Sequence, residues 1–174
     1  MNKHAIKSGA IIGAISVVIS LLMYIIDGSL FATWWLGLLI FAVIIGLVAY
    51  FGIQHRNEET GFMTFGQGWI YSMQAFVVAG LIGTIFRILL FTVIDTELAE
   101  IVTEKAVENT AAMMESFGTP EEAIDQALED ARTSTMESFT VAGNLKGFGF
   151  AVIFYAVFSL ITGAIIKKKE PENL

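Results

Sequence analysis

The sequence contains no cysteine, two prolines, and ten lysines and arginines among 174 residues. Without cysteine there can be no disulfide, no thiolate metal centre and no cysteine nucleophile. The shortage of cations, with a net charge of -7 and a pI near 4.7, argues against nucleic acid as a partner, because phosphate binding needs clustered Lys and Arg. Charged residues of both signs make up only 16% of the chain, hydrophobic residues make up 55%, and the mean hydropathy is +0.70. So little polar surface cannot enclose a small soluble globule, and lipid is the solvent that fits. Catalytic signatures are also missing: the chain has no nucleophile elbow, no HExxH and no phosphate-binding loop. Gly66-Gln67-Gly68 lacks the rest of a nucleotide fingerprint and reads as a turn into a helix. The expectation is a protein that is not an enzyme and takes no cofactor and no metal.

Four long apolar runs are present: residues 6–26, 34–53, 69–94 and 145–166. A hydrocarbon core of roughly 30 Å takes about 20 helical residues at 1.5 Å each, so every run is long enough to cross it. None shows the polar stripe that a buried helix of a soluble bundle would carry at a 3.6-residue period. Lys3 and Lys7 ahead of the first run give it the look of a secretory signal. Its length, and the second span that follows almost at once, favour an uncleaved first helix. The expected fold is all-α and integral to the membrane, a single domain over 1–174 with four transmembrane helices.

Cations set the expected orientation, because Lys and Arg near helix ends are retained on the cytoplasmic face. Lys3, Lys7, Arg56, Lys167, Lys168 and Lys169 fall on one side of a four-span chain, and the segment from Asp95 to Val141 on the other carries 12 acidic residues against 2 basic ones. Both termini are therefore expected in the cytoplasm and the acidic segment outside it. Trp34, Trp35 and Trp69 stand where interfacial aromatic belts occur.

The acidic segment, 96–137, reads as a two-helix hairpin. Thr96 is the expected N-cap of its first helix, whose apolar positions are Leu98, Ile101, Val102, Ala106, Met113 and Phe117. Gly118 is the expected C-cap. Thr119-Pro120-Glu121-Glu122 has the pattern of a capping box opening a second helix to about Ala131, with Ile124, Ala127, Leu128 and Ala131 on one face. Glu121, Asp125 and Glu129 share another face at i, i+4, i+8, where like charges repel. That face is a candidate surface for a partner, another envelope protein.

Within the spans, small residues recur four apart: Gly9 with Gly13, Ser16 with Ser20, Ala79 with Gly83, Gly143 with Gly147, and Ser159 with Gly163. Such spacing lets helix backbones approach closely in lipid, and these are the candidate helix-packing residues, within the chain or against a second copy. Arg87 is the one strongly basic group well inside a span, where charge is costly and by default functional. It can snorkel outward, pair with Asp95, or contact an anion or lipid together with Gln74 and Thr84. His4 and His55, the only two histidines, fall at the expected cytoplasmic boundary and are not expected to share a metal.

Certain phrases also recur in a known arrangement. The opening from Lys3 to Tyr24 with Gly9 and Gly13, Tyr50-Phe51-Gly52-Ile53, Thr64-Phe65-Gly66, Val93-Ile94-Asp95, the acidic hairpin and the closing Gly163-Ala164-Ile165-Ile166-Lys167-Lys168 together resemble a bacterial family. Its members are small four-span membrane proteins classed only as a domain of unknown function. Thr96 and Gln67 stand where that pattern has proline and an acidic residue. The resemblance covers nearly the whole chain and implies a bacterial inner membrane, with membrane lipids as surroundings, and it carries over no residue roles.

Overall fold

The structure, a computed structural model, describes residues 2–170. Six α-helices follow in order: α1 Lys3–Ile26, α2 Trp34–Glu59, α3 Phe65–Leu89, α4 Leu98–Ser116, α5 Glu121–Phe139 and α6 Val141–Ile166. A short 3-10 turn, Gly28–Ala32, joins α1 to α2, and α3 runs on into a π-helical turn, Leu90–Ile94. Among the described residues there is no β-strand, only an isolated bridge between Met63 and Lys168.

Four of these helices, Lys3–Ile26, Trp34–Glu59, Phe65–Ile94 and Val141–Ile166, are long and apolar enough to cross a membrane. The shortest has 24 residues, about 36 Å of helix. Their outward faces are apolar too: Leu38 is 61% exposed, Phe150 66% and Val93 69%. Helices that are apolar on every side need an apolar solvent as well as an apolar core. The chain is a membrane protein.

Contacts divide the described residues into two compact units, the first built from residues 2–18, 38–83 and 148–170 and the second from 19–37 and 84–147. In the first unit small residues set the helix spacing. A Cβ on Gly9 would stand 2.7 Å from the carbonyl oxygen of Ala75, and one on Gly13 would press on Ile82, so α1 lies directly against α3. Gly163 meets Gly68 and Trp69 in the same way, bringing α6 onto α3 beside the fully buried Ser159. The Trp69 indole N–H donates to the Ala156 carbonyl across that contact (3.1 Å). Ile12, Val48, Ala75, Phe76 and Ala79 fill the centre.

The second unit holds α4 and α5, which pack on one another, and α4 also packs on the 3-10 turn. Its core joins Leu98, Ala99 and Val102 of α4 to Leu90, Phe91 and Phe139. On α4 the buried positions are Leu98, Ala99, Val102 and Thr103. Ile101, Met113 and Phe117, placed by periodicity on the inner face, are exposed. The ridge that packs joins the row 98/102, which the pattern favoured, to the row 99/103, which it did not.

The ends of α4 and α5 separate sequence expectation from outcome. Asp95, not Thr96, caps α4: its Oδ1 accepts the backbone N–H groups of Glu97 and Leu98, both at 3.1 Å. A carboxylate there satisfies two orphan donors and opposes the helix dipole, which a threonine hydroxyl cannot match. Gly118 closes α4 as expected, with φ +70°. Its N–H bonds to the Glu115 carbonyl (2.9 Å) and the Thr119 N–H to that of Met114 (3.1 Å), the two bonds of a Schellman motif. The Thr119–Glu122 capping box is absent. Pro120 itself is the cap residue, with ψ 141° and no side-chain cap, and α5 runs on past Ala131 to Phe139.

A capping box does form at α3. Gln67 Oε1 accepts from the Thr64 N–H (2.9 Å), and Thr64 Oγ1 accepts from the Gln67 N–H (3.3 Å). Gly66-Gln67-Gly68 is thus the first turn of α3 rather than a loop before it, because Gln67 three residues after Thr64 starts the helix earlier than the apolar run does.

Candidate functional site

Three places carry polar chemistry, and each is built by a different part of the fold. The first is Arg87, in the last turn of α3. Asp95, its expected partner, accepts from the Tyr24 hydroxyl (3.0 Å) as well as capping α4, and among the described residues no carboxylate pairs with Arg87. The guanidinium instead lies over two aromatic rings, 5.7 Å from the centroid of Phe91 and 5.1 Å from that of Phe139. Phe91 reaches it through the π-helical turn, and Phe139 comes from the last residue of α5, stacked on Phe91 at 4.3 Å. Thr84 lies three residues earlier on α3, on the neighbouring face. Gln74 belongs to the other unit, where its Oε1 accepts the Asn2 backbone N–H at 2.9 Å. The cation–π pair leaves the hydrogen-bonding fork of Arg87 available to an anion.

The second is α5. Glu121, Asp125 and Glu129 are all exposed, and none forms an ion pair among the described residues, where Lys105–Glu108 is the one pair of formal charges in contact. Phe117, 81% exposed, stands at the turn between α4 and α5. Of the other small residues, Gly143 fits a tight local turn against the Glu137 carbonyl, and Gly83 and Gly147 have open space beside them.

The third was not legible beforehand. In the first unit the two histidines meet: the rings of His4 on α1 and His55 on α2 stack with centroids 4.5 Å apart and planes 19° apart. His55, 4% exposed, is held on its other side by Tyr71 of α3, 5.2 Å between centroids. The Tyr71 hydroxyl in turn shares a buried 2.7 Å hydrogen bond with Ser8. Glu59, one turn after His55, brings Oε2 to 3.9 Å from His55 Nε2. A cavity of about 270 Å³ opens beside them, lined among others by Lys7, Ser8, Gln54 and Glu58. Residues 4 and 55 lie 51 positions apart on helices with no polar stripe, so no local signal announced their meeting.

This end of the first unit also gathers cations. Arg56 donates through Nη1 to the Ile166 carbonyl at the end of α6 (2.7 Å), and Lys168 is tied by its backbone to Met63 (2.9 and 3.0 Å).

The family model described as "Protein of unknown function (DUF4199)" matches residues 7–168. The chain belongs to the DUF4199 family. No curated protein and no solved structure matches it. The match takes in α1 from Lys7 onward, all of α2 to α5, and α6 through Lys168, so Arg87, the α5 acidic face and His55 with Glu59 lie within the DUF4199 region, whereas His4 lies just before it.

Proposed function

We propose that this DUF4199 protein is a non-enzymatic accessory or scaffolding component of a bacterial inner membrane. In this reading both termini face the cytoplasm, and the α4–α5 pair stands on the opposite side as the docking surface for another envelope protein. The observation that carries it is the α5 face of Glu121, Asp125 and Glu129. Three carboxylates one turn apart repel each other, none forms an ion pair among the described residues, and a basic partner surface would relieve the repulsion. The gathering of Arg56 and Lys168 at one end of the first unit supports the orientation.

Two experiments test it. The chain lacks cysteine, so single cysteines at Ser134 and Lys169 report sidedness cleanly; an impermeant maleimide applied to intact cells should label the first and spare the second. Affinity capture from detergent extract should then lose partners when Glu121, Asp125 and Glu129 are all changed to Lys. All three are exposed, so the fold tolerates the change, and an unchanged set of partners would remove the scaffolding role.

A second reading rests on Arg87. Its guanidinium, placed in a span without a carboxylate, suits the phosphate of an anionic lipid or a small anionic substrate. Lipid retained through purification should fall in Arg87→Ala and be partly kept in Arg87→Lys, which preserves charge without the planar fork. Equal retention in wild type and Arg87→Ala would rule it out.

A further inference from the structure

The His4–His55 contact is more than a packing detail, because the surrounding hydrogen bonds fix which way its electron pairs point. Asn2 Oδ1 accepts the backbone N–H of His4 (2.9 Å). Its Nδ2 is thereby turned toward His55 and donates to Nε2 at 3.0 Å. Nε2 is therefore the lone-pair nitrogen of a neutral ring, the form in which imidazole binds a metal. The same nitrogen faces Glu59 Oε2. One donor atom from each of His4, His55 and Glu59 lies within 4.8 Å of the other two.

We propose that His4, His55 and Glu59 bind a divalent first-row transition-metal ion, with a fourth position open to water from the adjoining cavity. The donor set decides the class. Two imidazoles and a carboxylate suit Zn²⁺ and its neighbours; Mg²⁺ and Ca²⁺ prefer all-oxygen shells. Bonds of about 2.0–2.1 Å in a tetrahedron place donor atoms about 3.4 Å apart, so the three groups close inward by roughly an ångström.

The parts that must move are the exposed ones. His55 is 4% exposed and stacked on Tyr71, so it stays; His4 and Glu59, both exposed, supply the adjustment. The stacked His4 ring turns its edge toward the ion, and the Asn2 amide, whose N–H₂ occupies the ion's side of Nε2, swings away. Glu58 lines the same cavity as Lys7, so the cavity carries a carboxylate beside its one cation.

The test uses the full-length, untagged chain in detergent micelles or nanodiscs, with Zn²⁺ measured by competition against a chromophoric chelator and Co²⁺ by its visible absorption. One Zn²⁺ per chain is expected, with a Co²⁺ band of tetrahedral intensity. His4→Ala and Glu59→Gln, at exposed positions, should each weaken Zn²⁺ at least tenfold; without metal both should match wild type in gel filtration and Glu59→Gln also in thermal unfolding, where His4→Ala loses only its stack on His55. An absence of saturable one-to-one binding overturns the assignment. So does binding that survives in both variants, which would place the ion on other carboxylates such as those of α5.

Discussion

The guanidinium of Arg87 lies over the ring of Phe139, 5.1 Å from its centroid, and Asp95, the carboxylate nearest to it in sequence, is spent on Tyr24 and on the N-terminus of α4. A cation in a span is thus held by aromatic faces instead of an ion pair. Phe139→Leu keeps the apolar volume and removes that face. Loss of about 1–2 kcal/mol from unfolding in detergent is expected, and Arg87→Met combined with it should lose less than the sum of the two single changes. Strict additivity would show that ring and cation do not interact.

Glycines at equal spacing in the sequence differ in their surroundings. A Cβ on Gly9 meets the Ala75 carbonyl and Val78, whereas one on Gly83 meets nothing within 4 Å. Gly9→Ala should therefore cost about 1–3 kcal/mol through overpacking. Gly83→Ala should be neutral or stabilising by up to about 1 kcal/mol, since alanine is the better helix former. Thermal unfolding of the two variants side by side is the measurement, and equal destabilisation would contradict the α1–α3 contact.

Ser8 and Tyr71 form the buried hydrogen bond that steadies the ring beneath His55 (2.7 Å). Tyr71→Phe strands the serine hydroxyl and should cost about 1–2 kcal/mol. In a double-mutant cycle with Ser8→Ala the coupling should be about 1 kcal/mol; zero coupling would mean that the bond does not form.

Asp27 caps the 3-10 turn, and its carboxyl is held below its ordinary value of 3.8, first by the backbone N–H of Ser29 and then by that residue's hydroxyl. A lowered folded value means that the cap's contribution is fully present above pH 3.8 and disappears as pH falls through the lower folded value. Carboxyl carbon shifts of Asp27 followed by NMR should titrate below those of an Asp in an unfolded peptide. Ser29→Pro, which removes the N–H, should bring them up; a midpoint unaffected by that change would contradict the cap.

Much of the architecture was legible because it depends on local properties. Four apolar runs long enough to cross the hydrocarbon core dictate four helices whatever their neighbours do, since in lipid every backbone polar group must be satisfied within its own segment. Gly118 likewise declared its turn, because a residue at φ +70° is glycine before anything else. The helix starts were harder to read. At α4 the side chain that binds the free N–H groups is Asp95 and at α3 it is the reciprocal pair Thr64 and Gln67, and which of several polar neighbours does so is settled by geometry.

What the sequence by itself determined is a membrane protein with an acidic, helical segment between its third and fourth spans. What tertiary structure decided is who meets whom: Arg87 with two phenylalanines, and His4 with His55 across two helices. In lipid the helices are apolar on all sides, so hydrophobic periodicity no longer marks the inward face. Rotation and register are then set by which small residues let backbones close, and only once α1, α2 and α3 have closed do the two histidines and Glu59 come within reach of one another.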